Sequence, residues 1–207
     1  RGTTPQGIRD EAQASEWVRG MFGRVARRYD LLNHLLSFNL DKRWRKRLVS
    51  RVESILSNPG AKVLDLCCGT GDVAIALEQR RGAAVMAADF CHPMLVEANR
   101  KFVDRRMATS LFEADGLRLP LADASLDLVT IAFGFRNFAN YETGLAEMLR
   151  VLKPGGTLAI LEFSQPRNRL FAAVYGWFST TLLPKVGGWI SGAGDAYSYL
   201  PESIKKF

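Results

Sequence analysis

The stretch Val63-Leu64-Asp65-Leu66-Cys67-Cys68-Gly69-Thr70-Gly71-Asp72 decides the fold. It opens as a short apolar run, the pattern of a buried strand. Gly69-Thr70-Gly71 interrupts that run just before a helical pattern that lasts to about Arg81, where Gly82 closes it. A strand that turns straight into a helix over glycines can serve a ligand. Without Cβ atoms the turn can pass close to a bound molecule, and the free N–H groups of the first helical turn face it. A tight turn with no ligand would use the same glycines, so the neighbouring segments have to decide.

They repeat the rhythm. Apolar runs recur at 83–89, 109–114, 126–133 and 157–163, and helical stretches lie between them. One of these has Pro93 in its first turn, and another has Asn140 as N-cap and stops at Lys153-Pro154-Gly155-Gly156. Strands alternating with helices in this way specify an α/β chain, a doubly wound and mostly parallel sheet with helices on both faces. Such sheets bind ligands beyond the carboxyl ends of their strands. Asp89 ends the second run, where a carboxylate can accept hydrogen bonds from both hydroxyls of a ribose. Asp115-Gly116 follows the third, where an acid can accept from an adenine amino group while a backbone N–H serves a ring nitrogen. Each acid alone is an ordinary loop residue. Three features after three successive strands point to an adenosine-containing ligand. Ala74 stands at the third position of a dinucleotide fingerprint, which tolerates alanine, so the spacing alone leaves NAD open.

Upstream, Trp17, Val18, Met21, Phe22, Val25, Ala26 and Tyr29 recur at helical spacing between Ser15 and Tyr29. A second helix is expected from Asp41 as N-cap to about Ser57, with Trp44, Leu48, Val52 and Ile55 inward and Lys42–Arg47 outward; Asn58-Pro59-Gly60 ends it. Residues 1–58 thus form a helical extension, a basic cap over the substrate, ahead of a nucleoside-binding domain at 59–207. The net charge of +7 lies wholly in residues 1–51, with 12 Lys/Arg against 5 acids. That suits either a solvated helix face or a surface that meets nucleic acid or anionic lipid. Cys67, Cys68 and Cys91 have no metal-ligand spacing and fit a reducing cytoplasm. No secretory h-region is present, and the apolar run Leu170–Pro184 is too short to span a bilayer.

Asp65-Leu66-Cys67-Cys68-Gly69-Thr70-Gly71 resembles the first motif of class I S-adenosylmethionine-dependent methyltransferases. Four further stretches resemble the ubiquinone/menaquinone biosynthesis C-methyltransferases. They are Tyr29–Ser37 followed by Trp44, Arg150–Gly156 continuing to Glu162-Phe163-Ser164, Phe133-Gly134-Phe135-Arg136-Asn137, and Asp195–Ile204. The resemblance covers the chain from about residue 17 and implies a Rossmann-like fold. Two departures stand out: Asp41 occupies a position where the family has His, and five strands are present where seven are expected, which leaves the fifth with an uncovered edge.

The resemblance implies methyl transfer from S-adenosylmethionine to a ring carbon of a polyprenylated quinol, demethylmenaquinol ahead of the corresponding benzoquinol. A non-catalytic S-adenosylmethionine-binding scaffold is the alternative. It implies Asp65, Gly69, Thr70, Gly71, Asp89, Asp115 and Gly116 at the cofactor, and Tyr29, Asn33, Phe133 and Tyr197 at the quinol. Arg136 and Asn137 are the expected catalytic pair. A free phenol ionises near pH ~10, and a guanidinium can stabilise the phenolate while an amide orients the hydroxyl. Their plain alternatives are an Arg136–carboxylate pair and an Asn137 turn cap. His34 reads as a base or a structural residue, His92 as part of a helix start, and the cysteines as small packing residues. Leu170, Phe171, Val174, Tyr175, Trp177, Phe178, Leu182 and Leu183 form either core or a wall for the isoprenoid tail. No metal is expected. Expected partners are the quinol and, through the basic cap, an anionic membrane face, with room for a homodimer. Nucleic acid is not expected, because Ala132-Phe133-Gly134-Phe135 stands where amine methyltransferases of nucleic acids carry an Asn/Asp-Pro-Pro-aromatic element.

Overall fold

The computed structural model describes residues 2, 3, 5, 7, 8, 10–37, 39–163, 199, 203 and 204. The N-terminal helices are α1 (Glu11–Val25), α2 (Tyr29–Leu36), α3 (Leu40–Arg51) and α4 (Glu53–Leu56). Strands and helices then alternate except between β3 and β4, where a loop stands in place of the helix expected between these runs: β1 (Val63–Leu66), α5 (Asp72–Arg81), β2 (Met86–Asp89), α6 (His92–Asp104), β3 (Ser110–Glu113), β4 (Leu126–Ala132), α7 (Tyr141–Val151) and β5 (Leu152–Leu161). All pairings are parallel and the strand order is β3-β2-β1-β4-β5. This is the doubly wound α/β sheet expected from the sequence. The apolar segment Leu170–Leu183 lies outside the described residues, as does Tyr197.

Alternation along β1 shows how the sheet is packed. Leu64 and Leu66 point into a core with Met148 and Val151 of α7, while Val63 joins Val73, Leu77, Ala98 and Phe102 on the other face. Both faces are covered, which is why the central strands read as continuous apolar runs. Leu64, Leu66, Leu126 and Leu128 have no accessible surface, and truncating one of them to alanine costs about 2–5 kcal/mol.

The helix termini follow the sequence where a cap is local. The Asn140 side chain accepts from Thr143 N–H, and α5 runs between Gly71 (φ +84°) and Gly82 (φ +71°), conformations that favour glycine. Three boundaries differ from expectation. Helix α1 starts earlier, capped by Asp10, whose carboxylate accepts from Gln13 N–H, and ends at Val25. Helix α3 starts at Leu40 behind Asn39 and breaks at Val52, while Asp41 is buried inside it rather than capping it. Strand β5 begins at Leu152, so Pro154-Gly155-Gly156 ends α7 but is itself strand, with a register shift opposite Leu126–Leu128. A proline fits there because β5 is an outer strand among the described residues and its missing N–H breaks no ladder on the free side.

Candidate active site

The chain leaves β1 outward through β2 to β3 and returns on the other side of β1 as β4. At this reversal the loops after β1 and β4 diverge, and a cleft opens beyond the strand ends. Four strand ends wall it: Cys67 and Gly69 after β1, Asp89 and Phe90 after β2, Ala114–Leu117 after β3, and Ala132–Gly134 with Asn137 and Phe138 after β4. Phe22 of α1 and Tyr29 of α2 line it from the helical layer. The cleft is partly open to solvent and is lined by apolar and aromatic side chains with a few convergent polar groups, the make-up of a small-ligand site. Cys67 (φ +55°) and Phe133 (φ +60°) hold left-handed conformations unusual for non-glycine residues at the ends of adjacent strands. The two ends approach so closely that a Cβ on Gly134 would lie 2.4 Å from that of Cys67. Two of the five non-glycine residues with positive φ among the described residues thus stand at the cleft.

Asp89 is buried, with Oδ2 accepting from Gly69 N–H and Oδ1 from Cys91 N–H, each at 2.9 Å. This pins the carboxylate opposite the glycine turn, and each oxygen retains a further lone pair. Burial pushes its pKa up to about 6, against the opposing effect of the backbone N–H bonds. Across the cleft, Asp115 Oδ1 accepts from Leu117 N–H at 2.9 Å, which sets the turn through Gly116. The Phe138 ring lies against Gly116, where an added Cβ would be 2.5 Å from it. An aromatic floor, a glycine turn and two acids fit an adenosine group.

Cys67 reports the electrostatics. Burial first, then Asp89, Asp65, Glu162 and Asp115, hold its thiol well above the ordinary range. Glu162 is matched by Arg136, so Asp89 and Asp115, the two of these acids that line the cleft, are the ones that favour a cation there. Asp65 itself lies in β1 and borders a smaller recess beneath the glycine turn. Its Oδ1 accepts from Thr130 at 2.8 Å, its Oδ2 has no partner among the described residues, and burial pushes its pKa up to about 7.

The sequence profile of the ubiE/COQ5 methyltransferase family matches residues 9–207. A relative named demethylmenaquinone methyltransferase, from Thermus thermophilus, is 50% identical over 90% of this chain and 84% of its own length. The chain belongs to the ubiE/COQ5 methyltransferase family. Its methyl donor is S-adenosylmethionine, whose sulfonium suits the carboxylate-lined cleft described above. A Deinococcus radiodurans relative of the same name is 44% identical over 97% of this chain and 82% of its own. Among solved structures, an S-adenosylmethionine-dependent methyltransferase from Aquifex aeolicus covers 58% of this chain and 66% of its own at TM-score 0.52 and 25% identity. A putative enzyme of that class from Methanococcus maripaludis covers 99% of this chain and 87% of its own at TM-score 0.58 and 14% identity, a likeness of fold alone.

In this methyltransferase Gly69, Asp89, Asp115, Gly116, Tyr29, Phe133 and Asn137 share the main cleft, and Asp65 and Thr70 border the recess. Other expected site residues serve elsewhere. Gly71 faces Phe102 and Ala98, where a Cβ would come within 2.5 Å of the ring, so it seats α5 on α6. Thr70 donates to Asp30 at 2.5 Å and accepts from Lys101 at 3.1 Å. Asn33 hydrogen-bonds the Tyr29 phenol, whose pKa burial raises.

Arg136 does not line the cleft. It is buried against Glu162 at 2.8 Å, donates to Phe133 O and to Ser203 Oγ, and lies over the Phe163 ring. Glu162 also accepts the Arg136 backbone N–H at 3.1 Å. The guanidinium is therefore neutralised and fixes the turn from Phe133 to Asn137. Asn137 faces the cleft with a buried Oδ1 that has no partner among the described residues.

Sequence reasoning gave no individual role to Glu162, to the charge chain that ties the N-terminal helices to α5 and α6, or to the contact among Trp44, Phe133 and Phe163. In the charge chain, Lys101 bridges Asp30 and Asp72, and Arg45 bridges Asp72 and Asp41. Asp41 also accepts from Ser37 and bonds His34 Nδ1 at 2.8 Å. Burial would raise the Asp41 carboxyl, but Ser37, Arg45 and His34 together hold it below its ordinary value. His34 is thereby a structural partner of Asp41. Phe133 stacks on Phe163 at 4.6 Å, and Trp44 meets Phe163 edge-on at 5.8 Å. The helical spacing of Asp41 and Arg45 was the one available signal for the charge chain. Glu162 is the carboxylate of the Arg136–carboxylate pair weighed from the sequence, and nothing local said which acid it would be.

Proposed function

We propose that this methyltransferase adds a methyl group to a ring carbon of a polyprenylated quinol, with demethylmenaquinol as acceptor. The observation that carries this reading is the cleft at the β1/β4 reversal, where Asp89, Asp115 and Gly116 line one part and Tyr29, Phe133 and Asn137, whose Oδ1 has no partner among the described residues, line the rest. The names of the Thermus and Deinococcus relatives supply the acceptor class.

When bound, S-adenosylmethionine supplies an electrophilic methyl group whose S–C bond breaks with the electron pair staying on sulfur. The protein's own work is placement and exclusion of water. Asp89 accepts the ribose hydroxyls, and the Asp115–Leu117 turn over Phe138 holds the adenine. The carboxylate field favours a sulfonium over the neutral thioether left after transfer, which promotes product exchange. Asn137 Oδ1 accepts the quinol O–H and turns the ring. As the hydroxyl ionises, the electron pair of the ring carbon forms the new C–C bond. The ring proton then moves to the oxygen as the ring rearomatises, so the one proton released net is that of the hydroxyl. Arg136 acts through the turn it holds and is a positioning residue. The helical layer of residues 1–58 serves as the cap over this site and as the side that meets an anionic membrane.

Mass spectrometry of quinols incubated with a methyl-labelled donor tests the reading. One labelled methyl on the demethylmenaquinol ring is expected. Donor binding without any labelled quinol would leave a scaffold role instead.

A further inference from the structure

Helix α3 has two unlike faces. Leu48 and Val49 are buried in the core, and Trp44 and Arg45 reach the aromatic group and the charge chain. Lys42, Arg43, Lys46, Arg47 and Arg51 are all exposed. At 100° per residue these five cations fall within one half of the helix circumference. Among the described residues none of them is ion-paired, and Asp41, the acid within the helix, is buried and turned inward. Leu40 is 40% exposed and continues the row Arg43–Arg47–Arg51 at helical spacing, while Leu31 of the preceding α2 is 61% exposed.

We propose that the outer face of α3 is a docking surface for an anionic lipid bilayer. Charge complementarity selects the partner, because the +7 of the whole chain resides in residues 1–51 and this face collects its unpaired part. The exposed leucine next to the cations is of use in an acyl boundary and of none against a phosphate backbone. The aromatic side chain of this helix, Trp44, points inward, so the face offers nothing for bases to stack on. The proposal rests on the quinol reading for its purpose: a polyprenylated acceptor lies in the bilayer, and docking α3 there places the cap of the cleft beside it.

The test uses the whole protein with Lys42, Arg43, Lys46 and Arg47 all changed to Gln, and Arg105→Gln as a control on another surface. Partition is measured onto phosphatidylcholine vesicles with and without phosphatidylglycerol, at low and high salt. Turnover is measured on a short-tailed soluble quinol and on a long-tailed quinol carried in the same vesicles. Each cation near an anionic surface is worth roughly fivefold in partition. The fourfold variant should therefore lose at least about a hundredfold on anionic vesicles, and high salt should release the unchanged protein. Short-tail turnover should stay level while long-tail turnover falls at least about tenfold. Equal partition of variant and unchanged protein overturns the proposal, as does tighter binding to duplex DNA than to anionic vesicles. No turnover of either quinol by the unchanged protein defeats the quinol reading, and the partition data then judge the docking surface on their own.

Discussion

Replacing Asp89 by asparagine changes one atom and one charge where the cleft meets the glycine turn. The two carboxylate oxygens accept Gly69 N–H and Cys91 N–H at 2.9 Å each, leaving one lone pair apiece for the ribose hydroxyls. An amide keeps one oxygen, and its NH₂ must confront either a backbone N–H or a hydroxyl. The loss is that of a hydrogen bond to a charged group, about 1.5–3 kcal/mol, or roughly 10- to 150-fold in Kd. Changes in pH act on the same atom. Burial pushes the carboxyl up to about 6, and only the ionised form offers acceptors on both oxygens. At pH 5 about a tenth of it is ionised, so Kd for S-adenosylmethionine should be about tenfold higher than at pH 7.5. Stability moves in the opposite sense. The raised value means that the folded chain holds this proton more tightly than the unfolded one. The Asp89 contribution therefore becomes unfavourable as pH rises from ~4 through 6 and stays so above. Isothermal titration across this range should show weakening with acid in the unchanged protein, and weak, flatter binding in Asp89→Asn. A Kd that stays level from pH 5 to 7.5, or an asparagine variant that binds as tightly as the original, refutes the placement of the ribose at Asp89.

Asp65, raised by burial to about 7, costs the fold up to about 4 kcal/mol once ionised. In thermal melts Asp65→Asn should equal or exceed the original at pH 8, and the difference should vanish near pH 4; a clear loss at pH 8 contradicts this. Glu162→Ala leaves the buried Arg136 charge without its partner and should cost about 3–5 kcal/mol in urea unfolding. A loss below about 1 kcal/mol would mean that Arg136 finds another acceptor. Gly116→Ala drives a methyl into the Phe138 ring. It should cost about 1–3 kcal/mol of stability and weaken donor binding; unchanged binding would remove the adenine from this turn.

The sheet was readable because its determinants are short-range. Each central strand is a continuous apolar run, each is followed by a helix with its own punctuation, and Pro93, Asn140, Gly71 and Gly82 act within four residues of themselves. The N-terminal layer was less readable for the opposite reason. Asp41 at the start of an amphipathic stretch has the look of an N-cap, yet Arg45, Ser37 and His34 converge on it, and Arg45 also reaches Asp72 on another helix. A cap needs a free carboxylate, and neighbours within seven residues had already taken this one, with Arg45 held in turn by Asp72. Likewise Pro154-Gly155-Gly156 reads as a stop for any element, but an outer strand tolerates a residue without N–H.

The same division explains the site. Asp89, Asp115 and Gly116 could be read from the sequence because strand ends in a doubly wound sheet converge, so position along the chain already implied position in space. Arg136 could not, because its role depends on Glu162, which lies on another strand. Sequence places an arginine beside the cleft and chemistry recommends it as a phenolate partner. The structure shows its charge already matched, its Nη1 on Phe133 O and its backbone N–H on the same glutamate. A guanidinium bound in this way contributes little net field to a substrate, but it holds the left-handed Phe133 and, through the short turn, the amide of Asn137. Arg136→Lys should separate the two roles. A lysine keeps the charge and can still meet Glu162, but it cannot also span Phe133 O and Ser203 with a planar fork. If Arg136 acts by geometry, kcat for the quinol falls about tenfold or more while donor affinity holds. If charge alone mattered, the lysine enzyme would turn over at nearly the original rate, and the assignment of Arg136 as a positioning residue would be lost.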